Sequence, residues 1–133
     1  MSDMPTPTAR ELEILKVLWE HGPCSVREVH GRLSPDGAVA YNTVQTLLRI
    51  MEPKGLVEHR VAGRTFIYSA CFDRDESAVR FLDRVFDGAT AELVLSLLRS
   101  ERVSAAELDE LQQMIAEARR KQGQRKARSG EVP

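Results

Sequence analysis

The sequence is poor in cysteine and in long apolar runs, and each shortage excludes a class of protein. Its 133 residues include two cysteines, Cys24 and Cys71, which are too few for the disulfide framework of a small secreted domain. No stretch approaches the roughly 18 apolar residues that a membrane-spanning helix needs. The N-terminus lacks the basic-then-apolar pattern of a signal peptide. We therefore expect a globular cytoplasmic protein.

The sequence also lacks a net charge of either sign. Its formal net charge is −1, but residues 1–70 carry eight basic and eight acidic side chains, residues 71–118 carry five and eleven, and residues 119–133 carry six and one. Because the N-terminal part is neutral, any basic surface that binds nucleic acid must be local. Residues 121–133 have almost no apolar side chains and are predicted to form a disordered basic tail, which either attracts DNA or is simply solvated.

Three S/T-x-x-E motifs indicate helix starts. They are "TARE" at 8–11, "SVRE" at 25–28 and "SAAE" at 104–107. In such a capping box the hydroxyl accepts a hydrogen bond from the third helical N–H, and the glutamate accepts one from the N–H of the cap residue. Each motif precedes apolar residues at helical spacing, so each predicts a helix.

The stretch "AYNTVQTLLRIMEPKGL" (40–56) predicts a further helix with two unlike faces. Its apolar residues, Val44, Leu47, Leu48 and Met51, share one face. The following "LVEHRVAGRTFIYSA" (56–70) contains two β-prone runs around a turn at 62–64 and predicts a hairpin. Residues 8–71 thus predict a winged helix-turn-helix domain.

The polar face of that helix favours contact with duplex DNA. The second helix of a helix-turn-helix enters the major groove. The short side chains of Asn42, Thr43 and Thr46 allow close approach, asparagine can pair with adenine, and threonine methyls can contact thymine methyls. Arg49 can reach a guanine edge or a phosphate.

The DNA backbone would be held by residues around this helix. They are Tyr41 at the helix N-terminus and Arg64 at the hairpin turn, with Arg60 across the strands. The alternative is a winged helix that binds another protein and no DNA, since polar helix faces also serve protein contacts.

The sequence of the second half of the chain predicts three helices, over 73–88, 89–101 and 104–120. These helices are too apolar to be stable as a monomer. A second copy of the chain would cover their apolar faces. We therefore predict a homodimer through residues 72–120, and an α+β, mostly α fold overall. The predicted dimerisation residues are Val79, Leu82, Phe86, Leu93, Val94, Leu97, Leu98, Leu108, Leu111 and Ile115.

No motif predicts an enzyme or a cofactor. The carboxylates are dispersed over helix faces, and no nucleophile–base pair is evident. His21, Cys24 and His30 lack a fourth close ligand, so a metal site is not expected. His59, on the first predicted strand, is expected to be solvated or to face a phosphate.

At residues 8–118 the chain resembles the BlaI/MecI family of penicillinase repressors. The resemblance is carried by "VLWEHGPCSVREVHGRL", by the A-Y-x-T-V-x-T-x-L-R pattern of 40–49 and by "GRTFIY" at the wing. It implies a winged-helix domain, a helical dimerisation domain and repression through a two-fold operator in double-stranded DNA.

The resemblance also implies regulation by proteolysis, triggered by a membrane-embedded sensor metallopeptidase. The cleavage site of the family is Asn-Phe, whereas this chain has Ser96-Leu97 at that position, so the same cleavage stays open. Copper-sensing relatives carry closely spaced cysteines near the C-terminus. No cysteine follows Cys71, which excludes that branch.

Overall fold

The computed structural model describes residues 6–130, which form six helices and one small sheet. The helices are α1 (Ala9–His21), α2 (Val26–Leu33), α3 (Tyr41–Met51), α4 (Arg74–Phe86), α5 (Thr90–Arg99) and α6 (Ala105–Gly130). The strands are β1 (Cys24–Ser25), β2 (Val57–Ala62) and β3 (Thr65–Ala70). The prediction of an α+β, mostly α fold is confirmed.

All three predicted capping boxes form. The hydroxyls of Thr8, Ser25 and Ser104 each accept from the backbone N–H of the glutamate three residues on, at 3.1–3.2 Å. Each glutamate carboxylate accepts in return from the N–H of its cap residue. These reciprocal bonds satisfy helix-end donors, which is why the boxes place the starts of α1, α2 and α6 correctly.

The core lies between α1, α2, α3 and the sheet. Helix α3 contributes Val44, Leu48 and Met51, none of which is exposed to solvent. Each such side chain stabilises the fold by about 1.5–3 kcal/mol relative to full exposure. The other buried members of the cluster are Ile14, Leu15, Leu18, Cys24, Val29, Leu56, Val57, Tyr68 and Phe72.

Strand β1 was not predicted. Cys24 pairs with Tyr68 and Ser25 with Ile67, so the sheet order is β1-β3-β2. Two residues are too few to show the alternation of a strand, and Ser25 already signals the cap of α2. The pairing attaches β3 directly to Ser25, the cap residue of α2.

The first helix is joined to the turn that follows α3 by a partly buried ion pair. Lys54 Nζ donates to Glu11 Oε2 at 2.8 Å, and the Glu11 side chain is only 2% exposed. Burial alone would raise the pKa of Glu11. The hydrogen bonds from Lys54 and from the Thr8 backbone outweigh burial and hold that pKa below its ordinary value.

The chain divides into two compact units within α4, between Phe81 and Leu82. The predicted boundary lay ten residues earlier, after residue 71. The structure differs because the start of α4 packs on the first unit: the guanidinium of Arg80 lies 3.9 Å from the centre of the Phe72 ring. Each unit is described below by itself.

Helix α6 also differs from the prediction, which made residues 121–133 a disordered tail. The helix continues through Gly130, and residues 131–133 lie outside the described part of the chain. Glutamine, arginine, lysine and alanine dominate 118–128 and are all good helix formers. A helix that is already nucleated can extend through them without an apolar face.

Replacing Lys54 by methionine should leave the Glu11 carboxylate buried without its cation. We expect the free energy of unfolding at pH 7 to fall by about 1–3 kcal/mol, less than for a fully buried pair, because Lys54 is 32% exposed. Urea denaturation measures the difference. The folded-state pKa of Glu11 is lowered, so the stabilisation is present above its ordinary pKa and is lost as the pH falls through the lowered one.

The matched control is Lys16→Met, which changes an exposed lysine on α1. It should shift stability by no more than about 0.5 kcal/mol. At acid pH, where Glu11 is protonated in both proteins, the Lys54 variant should approach the wild type. Equal stability of the two variants at pH 7 would contradict the assigned role.

Candidate nucleic-acid interface

Helix α3 presents two opposite strips of side chains. Val44, Leu48 and Met51 are spaced at i, i+4 and i+7 and are fully buried. Asn42, Thr46 and Arg49 have the same spacing two residues earlier and are exposed. Two residues correspond to about 200° around a helix, so the polar strip points away from the core. Thr43 lies beside that strip and is also exposed.

The turn between α2 and α3 is held by side-chain hydrogen bonds. Ser34 Oγ accepts from the Val39 N–H at 2.8 Å and donates to Asp36 Oδ1 at 3.2 Å. Asp36 Oδ1 also accepts from the Ala38 N–H. His30 Nε2, on α2, donates to the Val39 carbonyl at 2.7 Å. These bonds fix the direction in which the chain enters α3.

Tyr41 begins α3 and rests on the histidine of that turn. Its ring meets the His30 ring edge-on at 5.7 Å between centroids, and the residue is 42% exposed. Its position is therefore set by packing, while part of the side chain remains accessible. This geometry allows Tyr41 both to pack between the helices and to contact an external group.

The N-terminus of α3 differs from those that carry capping boxes. Its cap residue is Ala40, which provides no side-chain hydrogen bond, and the first turn has no acidic residue. The Ala40 carbonyl accepts from Thr43 and Val44, whereas the N–H groups of the first two helical residues have no carbonyl within the helix to bond. A helix end of this kind favours an anion through its free N–H groups and the helix dipole.

The wing is a tight antiparallel hairpin. Ala62 pairs with Thr65, and Gly63 takes a φ of 66° at the first position of the two-residue turn, where a side chain would be strained. Arg64, the second turn residue, is exposed at the tip.

His59 on the wing has a different environment from the one predicted. Its Nδ1 donates to Glu52 Oε1 at 2.7 Å, and its ring stacks on Phe66 at 4.2 Å between centroids. The expectation that it is solvated is therefore wrong, while its contact with a phosphate stays a prediction. The carboxylate that holds it lies just after α3, seven residues away in sequence, a separation that no sequence motif marks.

A groove runs between the N-terminus of α2, helix α3 and the wing. It has a volume of about 520 Å³, and it brings together Tyr41, Arg49 and Arg64. It also contains Arg27 and Gln45, which were not predicted from the sequence. Gln45 lies one helical turn after Tyr41 and shares its side of α3, which is the signal that identifies it.

Arg60 is not part of this groove. It pairs with Ile67, whereas the neighbouring His59 pairs with Tyr68, which lines the groove. Because side chains alternate along a strand, Arg60 lies on the opposite face of the hairpin. It is exposed there, so its predicted contact with the DNA backbone would need a different approach from that of Arg64.

Two of the three residues considered as metal ligands, Cys24 and His30, are engaged by other groups of the protein. The Cys24 thiol is buried and accepts from Arg32 Nη1 at 3.2 Å, and burial raises its pKa, which disfavours the thiolate that binds metals. His30 is already bonded to the Val39 carbonyl. Among residues 6–130, no three His, Cys, Asp or Glu side chains are placed to hold a metal ion.

Comparison with known proteins identifies the family. The sequence profile of the penicillinase repressors matches residues 7–117. This chain belongs to the penicillinase repressor family. It is 31% identical to the penicillinase repressor of Bacillus licheniformis over 88% of this chain and 94% of that protein. It is 32% identical to the transcriptional regulator BlaI of Mycobacterium tuberculosis over 86% of each.

The solved structure of another protein is similar to part of this chain. The DNA-binding domain of the repressor BlaI is 33% identical, has a TM-score of 0.50 and covers 57% of this chain and 93% of that one. The likeness supports the winged-helix fold of the first unit.

The second unit of this family member leaves its apolar side chains exposed. No residue from 73 to 128 is buried. Most predicted dimerisation residues are 40–56% exposed, and only Leu82, Phe86 and Leu93 are partly covered. The exposed ones in this unit are Val94, Leu97, Leu98, Leu108, Leu111 and Ile115. Val79, also exposed, belongs to the first unit.

The predicted cleavage position, Ser96-Leu97, lies within α5. Both residues are exposed. A protease binds its substrate as an extended strand, so this part of the helix would have to unwind before any cleavage. No helix among residues 6–130 is long and apolar enough to cross a membrane.

Removal of the Ser34 hydroxyl should loosen the entry to α3. Ser34→Ala leaves the Val39 N–H without its acceptor, so we expect the free energy of unfolding to fall by about 1–2 kcal/mol. Amide hydrogen exchange in the first turn of α3 should also accelerate. Ser100→Ala, which removes an exposed hydroxyl in the second unit, serves as the control. Unchanged exchange at Thr43 and Val44, whose N–H groups bond to the Ala40 carbonyl, would contradict this role.

Proposed function

We propose that this protein is a transcriptional repressor that binds a two-fold operator in duplex DNA as a homodimer. The observation that supports it most is the exposed polar strip of α3, Asn42, Thr46 and Arg49, which points directly away from the buried strip. Membership in the penicillinase repressor family supports the same conclusion, since its relatives carry the names of repressors and transcriptional regulators. The role is one of binding rather than catalysis.

In this proposal α3 lies in the major groove and reads base edges. Asn42 pairs with adenine, Thr43 and Thr46 contact thymine methyls, and Arg49 donates to guanine. All four are short or flexible enough to reach a base while the core holds the helix rigidly.

The phosphate backbone is held by the groove beside α3. Tyr41 and Arg64 lie on either side of it, and Arg27, also on the groove, adds a third cationic or hydroxyl donor. The uncapped N-terminus of α3 offers backbone N–H groups to the same strand. Arg60, on the other face of the wing, is assigned a weaker backbone contact.

Dimerisation uses the exposed apolar side chains of the second unit. A monomer that left so many half-exposed leucines and valines in water would carry an apolar patch of the kind that marks an interface. Joining two DNA-binding domains raises operator affinity by a factor of order 10²–10⁴ through effective concentration. Separation of the two chains, by a sensor-triggered protease or otherwise, would therefore release the operator.

Arg49→Ala should lower affinity for an operator by about 1–3 kcal/mol and relax specificity at one base pair, provided that the arginine contacts a base. Gel shift with duplexes from the gene's own upstream region measures both. Arg10→Ala removes an exposed arginine on α1 and should bind like the wild type. An Arg49 variant that no longer folds would show a structural role instead.

The salt dependence of the same gel shift separates a DNA reader from a protein-interaction module. Affinity should fall steeply between low and physiological salt, because binding releases counterions from the DNA. If the wild-type protein shifts no upstream duplex at low salt, the proposed function is contradicted.

Leu97→Asp should weaken the dimer and the operator complex together, because it places a charge in the apolar surface of α5. Sedimentation velocity measures the first and gel shift the second. Ser96→Asp is the matched control, since Ser96 shares the polar side of α5 with Glu92 and Arg99. A Leu97 variant that remains dimeric would refute the assigned interface.

A further inference from the structure

The C-terminal part of α6 lies beyond the family match and has a distinct charge. The match ends at residue 117, whereas α6 runs from Ala105 to Gly130. Residues 119–128, the cationic segment, contain six basic and no acidic side chains. They are Arg119, Arg120, Lys121, Arg125, Lys126 and Arg128, and all are exposed. The preceding residues of α6, 105–118, carry four acidic side chains and no basic ones.

The apolar side of α6 ends where the cationic segment begins. Leu111, Ile115 and Ala118 follow helical spacing, and the next positions on that side are Gln122 and Arg125. A helix that is polar all round has no side to bury against another element. The cationic segment is therefore not a continuation of the proposed dimer surface.

Compensation of the helix dipole does not account for this much charge. Basic residues stabilise a helix C-terminus only within about its last turn, whereas ten residues of helix extend about 15 Å. Arg120 pairs with Glu117 at 3.4 Å, but both side chains are more than half exposed. Such a surface pair contributes little to stability, so the positive charge of the segment is available to a partner.

The chemistry of the segment fits a phosphate backbone better than a membrane surface. A helix that lies on a bilayer needs an apolar face, and the non-polar residues of the segment are Gly123 and Ala127 alone. Duplex DNA requires only closely spaced cations to neutralise its phosphates. Residues 71–118 carry eleven acidic and five basic side chains and would repel DNA without such a segment.

We propose that the cationic segment binds the phosphate backbone of duplex DNA without reading its sequence. The proposal rests on the proposed function, because it adds a second DNA contact to a protein that already binds DNA through α3. It makes the end of α6 a source of affinity that is independent of the operator sequence and sensitive to salt.

The test compares two full-length triple variants. One carries Arg125→Gln, Lys126→Gln and Arg128→Gln, which keeps good helix formers. The control carries Arg74→Gln, Arg99→Gln and Arg102→Gln, which removes the same charge from exposed positions outside the segment. Fluorescence anisotropy with a labelled duplex of unrelated sequence is measured over a salt series, and sedimentation and circular dichroism verify dimer and helix content.

The segment variant should show a shallower slope of log affinity against log salt, by about 0.9 for each phosphate that the variant no longer neutralises. The control should keep the wild-type slope. Equal slopes for segment variant and control would overturn the inference while leaving operator binding by α3 intact. A second outcome would overturn the inference in favour of a membrane partner. In it, the wild type binds phosphatidylserine-rich vesicles, the segment variant does not, and the salt slope of DNA binding is the same for both proteins.

Wild-type protein that binds neither this duplex nor the gene's own upstream DNA would reject the proposed function itself. The two failures are therefore distinguishable in one set of measurements.

Discussion

The rotation of α3 about its own axis is the constraint on which the candidate interface depends. Val44, Leu48 and Met51 are fully buried, and a change of one residue in the buried face would turn every side chain by about 100°. Such a turn would carry part of the polar strip towards the core. The apolar residues thus decide which polar residues face outward, although they contact nothing outside the molecule.

Other contacts of the first unit restrain this helix at its two ends. The Ser34 and His30 hydrogen bonds hold the turn that precedes α3, and Lys54, just after it, is tied to Glu11 at the start of α1. Strand β1 joins the wing to the cap residue of α2. The second unit has the opposite character, because its apolar residues remain exposed. Recognition and pairing are therefore assigned to different parts of the sequence.

Local patterns predicted the helices well, because capping and periodicity act over a few residues. Thr8, Ser25 and Ser104 each identify a helix start that the structure contains. Contacts between different elements of the fold gave no such pattern. The pairing of β1 with β3, the bond between His59 and Glu52, and the packing of Arg80 on Phe72 all depend on the folded arrangement.

Sequence patterns likewise indicate some residues of the candidate site and not others. The polar residues of α3 follow from the spacing of its apolar ones. Arg27 lines the groove although it lies on another element, α2. Arg60 lies outside the groove because of the strand register. Sequence spacing reveals neither placement.

The most direct test of the account is a titration of the protein with duplex from its own upstream region, monitored by backbone amide NMR shifts. The account predicts the largest changes at residues 41–49 and at the wing turn, 63–64; changes confined to other surfaces would contradict it.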